Sequence, residues 1–250
     1  MTQAQPHPSL SGTRLVRFLI DLEVADVELS HRHFAQRLSQ LIDLPDSISL
    51  ASAHGNIASM PFEPAKVSAV TVKEVFLRAR ASMMQSVIQS VARGSAATIV
   101  CPTETQANGP IDGSGDHEPY VKLYSAQQRK MNFATAKLHS DIRTACLGLS
   151  PQLAQLSELD QALNATLSIR YRRCFAVIPK LLQKRYRHIV RKFEQERQNH
   201  RRANDLWLQL QEQFRSEVQG LLLAELETRL LPVLGLIEAI DKEFDKTTYE

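Results

Sequence analysis

The sequence predicts an all-α protein: a small N-terminal helical region, then a long antiparallel helical hairpin or coiled-coil-like C-terminal region. Three observations carry this reading. Leu, Ala, Gln, Arg and Glu dominate, while aromatics make up 6% and Gly only 9 of 250 residues, a balance that favours helix over strand. Between Tyr120 and Phe244 there are only three Gly and three Pro, and apolar residues keep recurring at steps of three and four. The apolar residues there form long, narrow stripes, which paired extended helices need.

Taken in order, residues 1–12, with Pro6 and Pro8, read as a disordered leader. The helical region 13–95 opens with an amphipathic helix from Thr13, in which Leu15, Phe18, Leu19 and Leu22 share a face. Ser30 is placed to N-cap a second helix carrying Phe34, Leu38, Leu41 and Ile42, and Pro45 is expected to stop it. Ser47 to Val70, with Gly55, Pro61 and Pro64, reads mostly as loop. Thr71 and Glu74 have the spacing of a capping box. The helix behind them carries Val75, Leu77, Met83, Met84, Val87, Ile88 and Val91, and Gly94 closes it. Core filling is the expected role of its Met and Val residues.

Residues 96–118, rich in Gly, Pro, Thr and Asp and without any period, read as a flexible linker and a domain boundary. The extended region 119–250 follows. One helix is expected from about Tyr120 to Leu147. Ser150-Pro151 then restarts the chain as an N-cap followed by Pro at the first helical position. A second helix runs toward Asn199 with a kink at Pro179, where an interior hydrogen bond is lost. Its apolar stripe is Leu167, Tyr171, Phe175, Ile178, Leu182, Tyr186, Ile189 and Phe193. The third, about 203–231, buries Leu210, Phe214, Val218, Leu221 and Leu222 with Trp207 nearby, and ends before Pro232. A short apolar helix with Val233, Leu236, Ile237 and Ile240 completes the set. Stripes on helices this long leave apolar surface that one hairpin cannot cover. A homo-oligomer, most simply a symmetric dimer through helices after Tyr120, is therefore expected.

Chemistry is sparse. Cys101, Cys146 and Cys174 form no Cys-x-x-Cys, so reduced thiols in a cytoplasmic protein are expected, with neither a zinc knuckle nor a dithiol pair. The stretch Leu15 to Leu22 is broken by Arg17 and Asp21 and does not read as a targeting signal. No apolar run reaches the roughly 18 residues that a membrane span needs. Phosphate-binding loops, nucleophile elbows and H-E-x-x-H are all missing. His31 and His33, two apart on a helix, point away from each other, so they suit a surface pair better than a shared metal. His54 is a lone loop histidine, and His188 and His200 stand among basic residues with nothing to complete a triad. No catalytic, metal-binding or cofactor-binding residue is assigned, and no cofactor is expected.

Charge is more informative. Twelve basic residues fall between Arg170 and Arg202, opposed only by Glu194 and Glu196, whereas 203–250 carries ten carboxylates against four cations. Arg170, Arg173, Lys180, Lys184, Arg187 and Arg191 lie on one helical stripe and form the candidate interaction site. If the chain turns back near Asn199, Glu212, Glu217 and Glu225 are expected to pass near Arg191, Lys184 and Arg173 and neutralise it. Otherwise the stripe stays open for an external polyanion.

Several runs resemble an uncharacterised proteobacterial family, domain of unknown function 3348. They are Y-S-A-Q-Q-R-K-M (Tyr124 to Met131), S-P-Q-L-A-Q-L-S-E-L-D (Ser150 to Asp160), V-I-P-K-L-L-Q-K-R-Y (Val177 to Tyr186) and, most strongly, L-L-L-A-E-L-E-T-R-L-L-P-V-L-G-L-I-E-A (Leu221 to Ala239). The L-V-R-F-L and F-A-Q-R-L-S-Q-L segments are similar too, so the resemblance covers most of the chain outside 96–118. It implies a helical cytoplasmic protein with no catalytic residues to carry over. It also implies an accessory to a membrane assembly of the MotA/ExbB-like, peptidoglycan-linked kind. Leu231 and Leu234 stand where the resemblance leads one to expect a polar pair, which makes that surface more apolar here. The leading expectation is a non-enzymatic structural or adaptor protein that self-associates or binds a protein partner, such as a component of a membrane complex. A nucleic-acid-binding protein using the basic stripe is the alternative.

Overall fold

The computed structural model describes residues 14–21, 44–57, 60–92, 117–196 and 203–247. The expected leader, the helix capped by Ser30 and nearly all of the linker 96–118 lie outside these residues. Within them the protein is all-α, with seven helices: α1 Arg14–Asp21, α2 Leu44–Ile57, α3 Ala69–Val91, α4 Glu118–Cys146, α5 Pro151–Ala176, α6 Ile178–Glu196 and α7 Ala203–Thr247.

α7 is the axis of the fold, since α1, α3, α4, α5 and α6 all pack against it. Its 45 residues span about 67 Å at the helical rise. At its middle Leu221, Leu222, Ala224, Glu225 and Leu226 are all fully buried. At 100° per residue these side chains spread over about 200° of the circumference, so the buried face there is broad, not a narrow stripe. α6 returns along its N-terminal half in the expected antiparallel sense. Phe193 meets Trp207 (ring centroids 5.0 Å apart), Tyr186 meets Phe214 (5.3 Å), and Arg185 meets Glu217. One continuous core joins α1, α3 and the C-terminal helices.

Two expectations are corrected. α2 begins at Leu44 with Pro45 in its first turn, where its missing N–H is one that a helix leaves unpaired anyway, and the helix that Pro45 was expected to stop lies outside the described residues. Much of the stretch expected to be loop is therefore helix, and only about 60–68 is irregular. Pro232 does not end α7, which continues through it to Thr247. Leu230, Val233, Leu236, Ile237 and Ile240 are buried on both sides of it, and their burial outweighs one lost backbone hydrogen bond.

α3 starts earlier than its sequence suggests. Ser68, in extended backbone, precedes it without a side-chain cap, so Thr71 and Glu74 already lie inside the helix. It buries Val72, Phe76, Val87 and Val91, while Val75, Leu77 and Ile88 are 41%, 56% and 38% exposed. Gly94 lies outside the described residues.

The later starts and breaks follow expectation. The Ser150 hydroxyl accepts from the Leu153 N–H at 3.2 Å, with Pro151 opening α5. Gly148 lies between α4 and α5 against the 60–68 segment. The Ala65 N–H donates to its carbonyl at 3.0 Å, and a Cβ there would stand 2.3 Å from that of Ala65. The helix predicted to kink at Pro179 breaks at Val177 into α5 and α6. In an unbroken helix residue 179 would donate to the Phe175 carbonyl, and proline cannot. Gln128 of α4 supplies the missing donor, its Nε2 lying 2.9 Å from that oxygen. Of the predicted stripe, Phe175 to Phe193 is buried, but Tyr171 is 48% exposed.

Candidate interaction face

α6 is sharply two-sided. Ile178, Leu182, Tyr186, Ile189, Val190 and Phe193 are buried. Lys180, Lys184, Arg187 and Arg191 are exposed and, at 100° per residue, fall within an arc of about 60° on the side away from them. They recur at i, i+4, i+7 and i+11, a strip about 16 Å long. None of the four forms an ion pair among the described residues.

The two remaining members of the predicted stripe lie on α5, beyond the break at Val177. Arg173 is exposed, whereas Arg170 is drawn to α2, its Nη1 lying 2.7 Å from Oδ2 of Asp46. The structure thus keeps four of the six on one helix face and ties Arg170 elsewhere.

The expected neutralisation by α7 is corrected. Glu217 reaches Arg185, not Lys184, in a two-pronged pair of 2.9 and 2.7 Å with both side chains largely buried. Glu212 pairs with Arg215 on its own helix. Glu225 turns into the core, well away from any pairing with Arg173.

There it forms a polar cluster that sequence reasoning missed. The carboxylate accepts from the Tyr124 hydroxyl at 2.7 Å, from Gln128 Nε2 at 3.0 Å, and from Arg229 Nε and Nη2 at 2.9 and 2.7 Å. The Arg229 guanidinium lies 4.0 Å above the Phe175 ring, and its Nη1 donates to Asn132 Oδ1 at 3.2 Å. A buried charge needs such saturation, because an unpaired carboxylate in the core is strongly penalised. Burial, then the Glu225 charge beside it, pushes the Tyr124 phenol well above its usual value near 10, so Tyr124 stays a donor. The signals were two i, i+4 pairs, Tyr124/Gln128 and Glu225/Arg229, the second flanked by Leu221 to Ala224 and by Leu230 and Leu231.

A second missed cluster lies where α4 and α5 meet. His139 Nε2 and Asp160 Oδ2 are 2.6 Å apart and Arg143 Nε is 3.9 Å from the same oxygen. The Ser157 hydroxyl donates to the Arg143 carbonyl at 3.1 Å. Cys146 is fully buried nearby, and burial, with the Asp160 charge, pushes its thiol up to about 11. A thiol so placed is a poor nucleophile at neutral pH. Among the described residues no group of three or more His, Cys, Asp or Glu is placed to hold a metal ion. His54 and His188 are exposed; His31, His33 and His200 lie outside the described residues. No helix among those residues is long and apolar enough to cross a membrane.

The family model described as "Protein of unknown function (DUF3348)" matches residues 1–242, and the chain belongs to that family. No curated protein and no solved structure matches it.

Proposed function

We propose that this member of the family is a non-enzymatic cytoplasmic adaptor that binds an acidic protein partner through the exposed basic face of α6. The observation that carries the reading is the open strip of Lys180, Lys184, Arg187 and Arg191, left without carboxylates while neighbouring Arg185 has one. α6 uses its apolar face within its own core, so charge is what it offers outward. An accessory role in a MotA/ExbB-like membrane assembly is the setting in which such an adaptor fits. Self-association is the second part of the reading, favoured by Phe133 on α4 and by Leu163, Ile169 and Tyr171 on α5, which are 73%, 42%, 57% and 48% exposed.

Nucleic acid is the competing occupant, since four open cations also suit phosphates. The strip offers little of one feature of single-strand binders: Tyr186 and Phe193 are buried, leaving the His188 imidazole as the exposed ring of α6 for base stacking. Co-purification from the native cell with mass spectrometry, comparing the wild-type chain with Lys184→Glu/Arg187→Glu, tests the reading. An acidic protein retained by the wild type after nuclease treatment and lost from the double variant supports it. Submicromolar binding to duplex DNA at about 0.15 M salt, abolished in that variant with a log–log salt slope near −3.6 for four contacts, defeats it.

A further inference from the structure

We propose that α3 carries a separate docking seam, and that its occupant is an acidic-flanked amphipathic helix of a partner protein. α3 has two apolar faces. One is the buried face already described, against α4 and α7. The other consists of Val70, Leu77, Ala81 and Ile88, of which Val70, Leu77 and Ile88 are 65%, 56% and 38% exposed, with half-buried Met84 between this face and the core. With Glu74 and Met84 these positions are separated by alternating steps of four and three from 70 to 88. That is the period at which two helices supercoil with side chains interlocked, and it matches neither a strand nor an isolated surface residue. From Val70 to Ile88 the seam is about 27 Å long. Val70, Leu77 and Ile88 are no part of the buried core, to which α3 gives Val72, Phe76, Val87 and Val91.

The charges beside the seam select the occupant. Arg78 borders one side and Arg80 the other, both exposed and without an ion pair among the described residues. Lys73, on the same side as Arg80, is held by Asp241 at 2.8 Å. A second copy of α3 meets like charge in either sense. Antiparallel pairing about a two-fold axis near residue 79 sets Arg78 against Arg78 and Arg80 against Arg80, and parallel pairing sets Lys73 beside Arg78. A helix with Glu or Asp at its flanking positions meets opposite charge on both sides, and such flanks decide partner choice in paired helices. Glu74, inside the seam, calls for a basic or polar residue in the facing layer.

The test uses the full chain and two labelled heptad peptides with Leu and Ile in the seam and one Lys in a seam layer, one flanked by Glu and the other by Lys. Fluorescence anisotropy is expected to show the Glu-flanked peptide binding at least tenfold more tightly, with Arg78→Glu/Arg80→Glu inverting the order. Leu77→Asp is expected to weaken the Glu-flanked complex at least tenfold while leaving the melting temperature unchanged. Equal affinity for the two peptides, or no binding of either, overturns the proposal. So does a marked fall in melting temperature with Leu77→Asp, which makes the seam part of the core. A dimer in sedimentation that Leu77→Asp dissolves overturns it in favour of a second copy. The seam shares no residue with the α6 strip, so either reading can fail alone.

Discussion

The Tyr124 hydroxyl donates to the Glu225 carboxylate at 2.7 Å, and neither side chain is exposed to solvent. This contact ties α4 to the most enclosed part of α7, beside the Gln128 amide that replaces the donor missing at Pro179. Tyr124→Phe leaves the carboxylate one donor short and is expected to cost about 1–3 kcal/mol in urea melts. Arg229→Ala, which strands the charge, should cost about 3–5 kcal/mol. The raised Tyr124 value also sets a sign with pH. The folded chain holds this proton more tightly than the unfolded one, so the contribution is complete below about pH 10 and is lost as pH rises through 10 toward the folded value. The alkaline fall in stability should be shallower in Tyr124→Phe; an unchanged fall would mean that the phenol is not held as described.

Neighbouring cations on α6 should behave oppositely. Arg185→Ala breaks the two-pronged contact with Glu217 and is expected to lose about 1–3 kcal/mol. Lys184→Ala should change stability by less than about 0.5 kcal/mol, because its side chain is exposed and unpaired among the described residues. Equal losses in thermal melts would show that the two are not divided between core edge and solvent.

Gly220 is the seat of α1. A Cβ there would come within 2.6 Å of the Phe18 ring. Gly220→Ala should therefore lift α1 from α7 and raise hydrogen exchange across 14–21. The melting temperature should move little, because Ala gains about 1 kcal/mol of helix propensity over Gly. Unchanged exchange in α1 is the result that refutes this.

Native alkylation at pH 8 followed by peptide mass spectrometry should label Cys174, which is exposed, and spare Cys146, which is buried. With its thiol at about 11, Cys146 has few thiolate molecules at that pH even when it is reached. Its protonated form favours the fold fully below about pH 9, and that contribution fades as pH climbs to 11. Labelling of both at one rate would contradict the burial.

Where the sequence was legible, the signal was local. Ser150-Pro151 reads correctly because an N-cap and a first-turn proline act within one helical turn. The stretch after Pro45 misleads because a proline that reads as a breaker also suits the first turn of a helix. Pro232 misleads because α7 continues through it on contacts made with other helices. α3 has two apolar stripes, and periodicity gives the faces of a helix without saying which one its own chain will cover. The basic strip was visible for similar reasons, as spacing along one helix. Its lack of partners was not, because Glu217 goes to Arg185 and Glu212 to Arg215, choices set by how the side chains meet in the packed fold.

α7 also fixes a distance. It meets α6 at Glu217 and α3 at Asp241, and these anchors, 24 residues apart on one helix, stand about 36 Å apart. The two outward faces therefore ride on opposite halves of one continuous helix. The largely buried run Leu221 to Leu226 lies between the two anchors, so a turn added or removed there would change the spacing of the faces by about 5.4 Å only by shifting that packing.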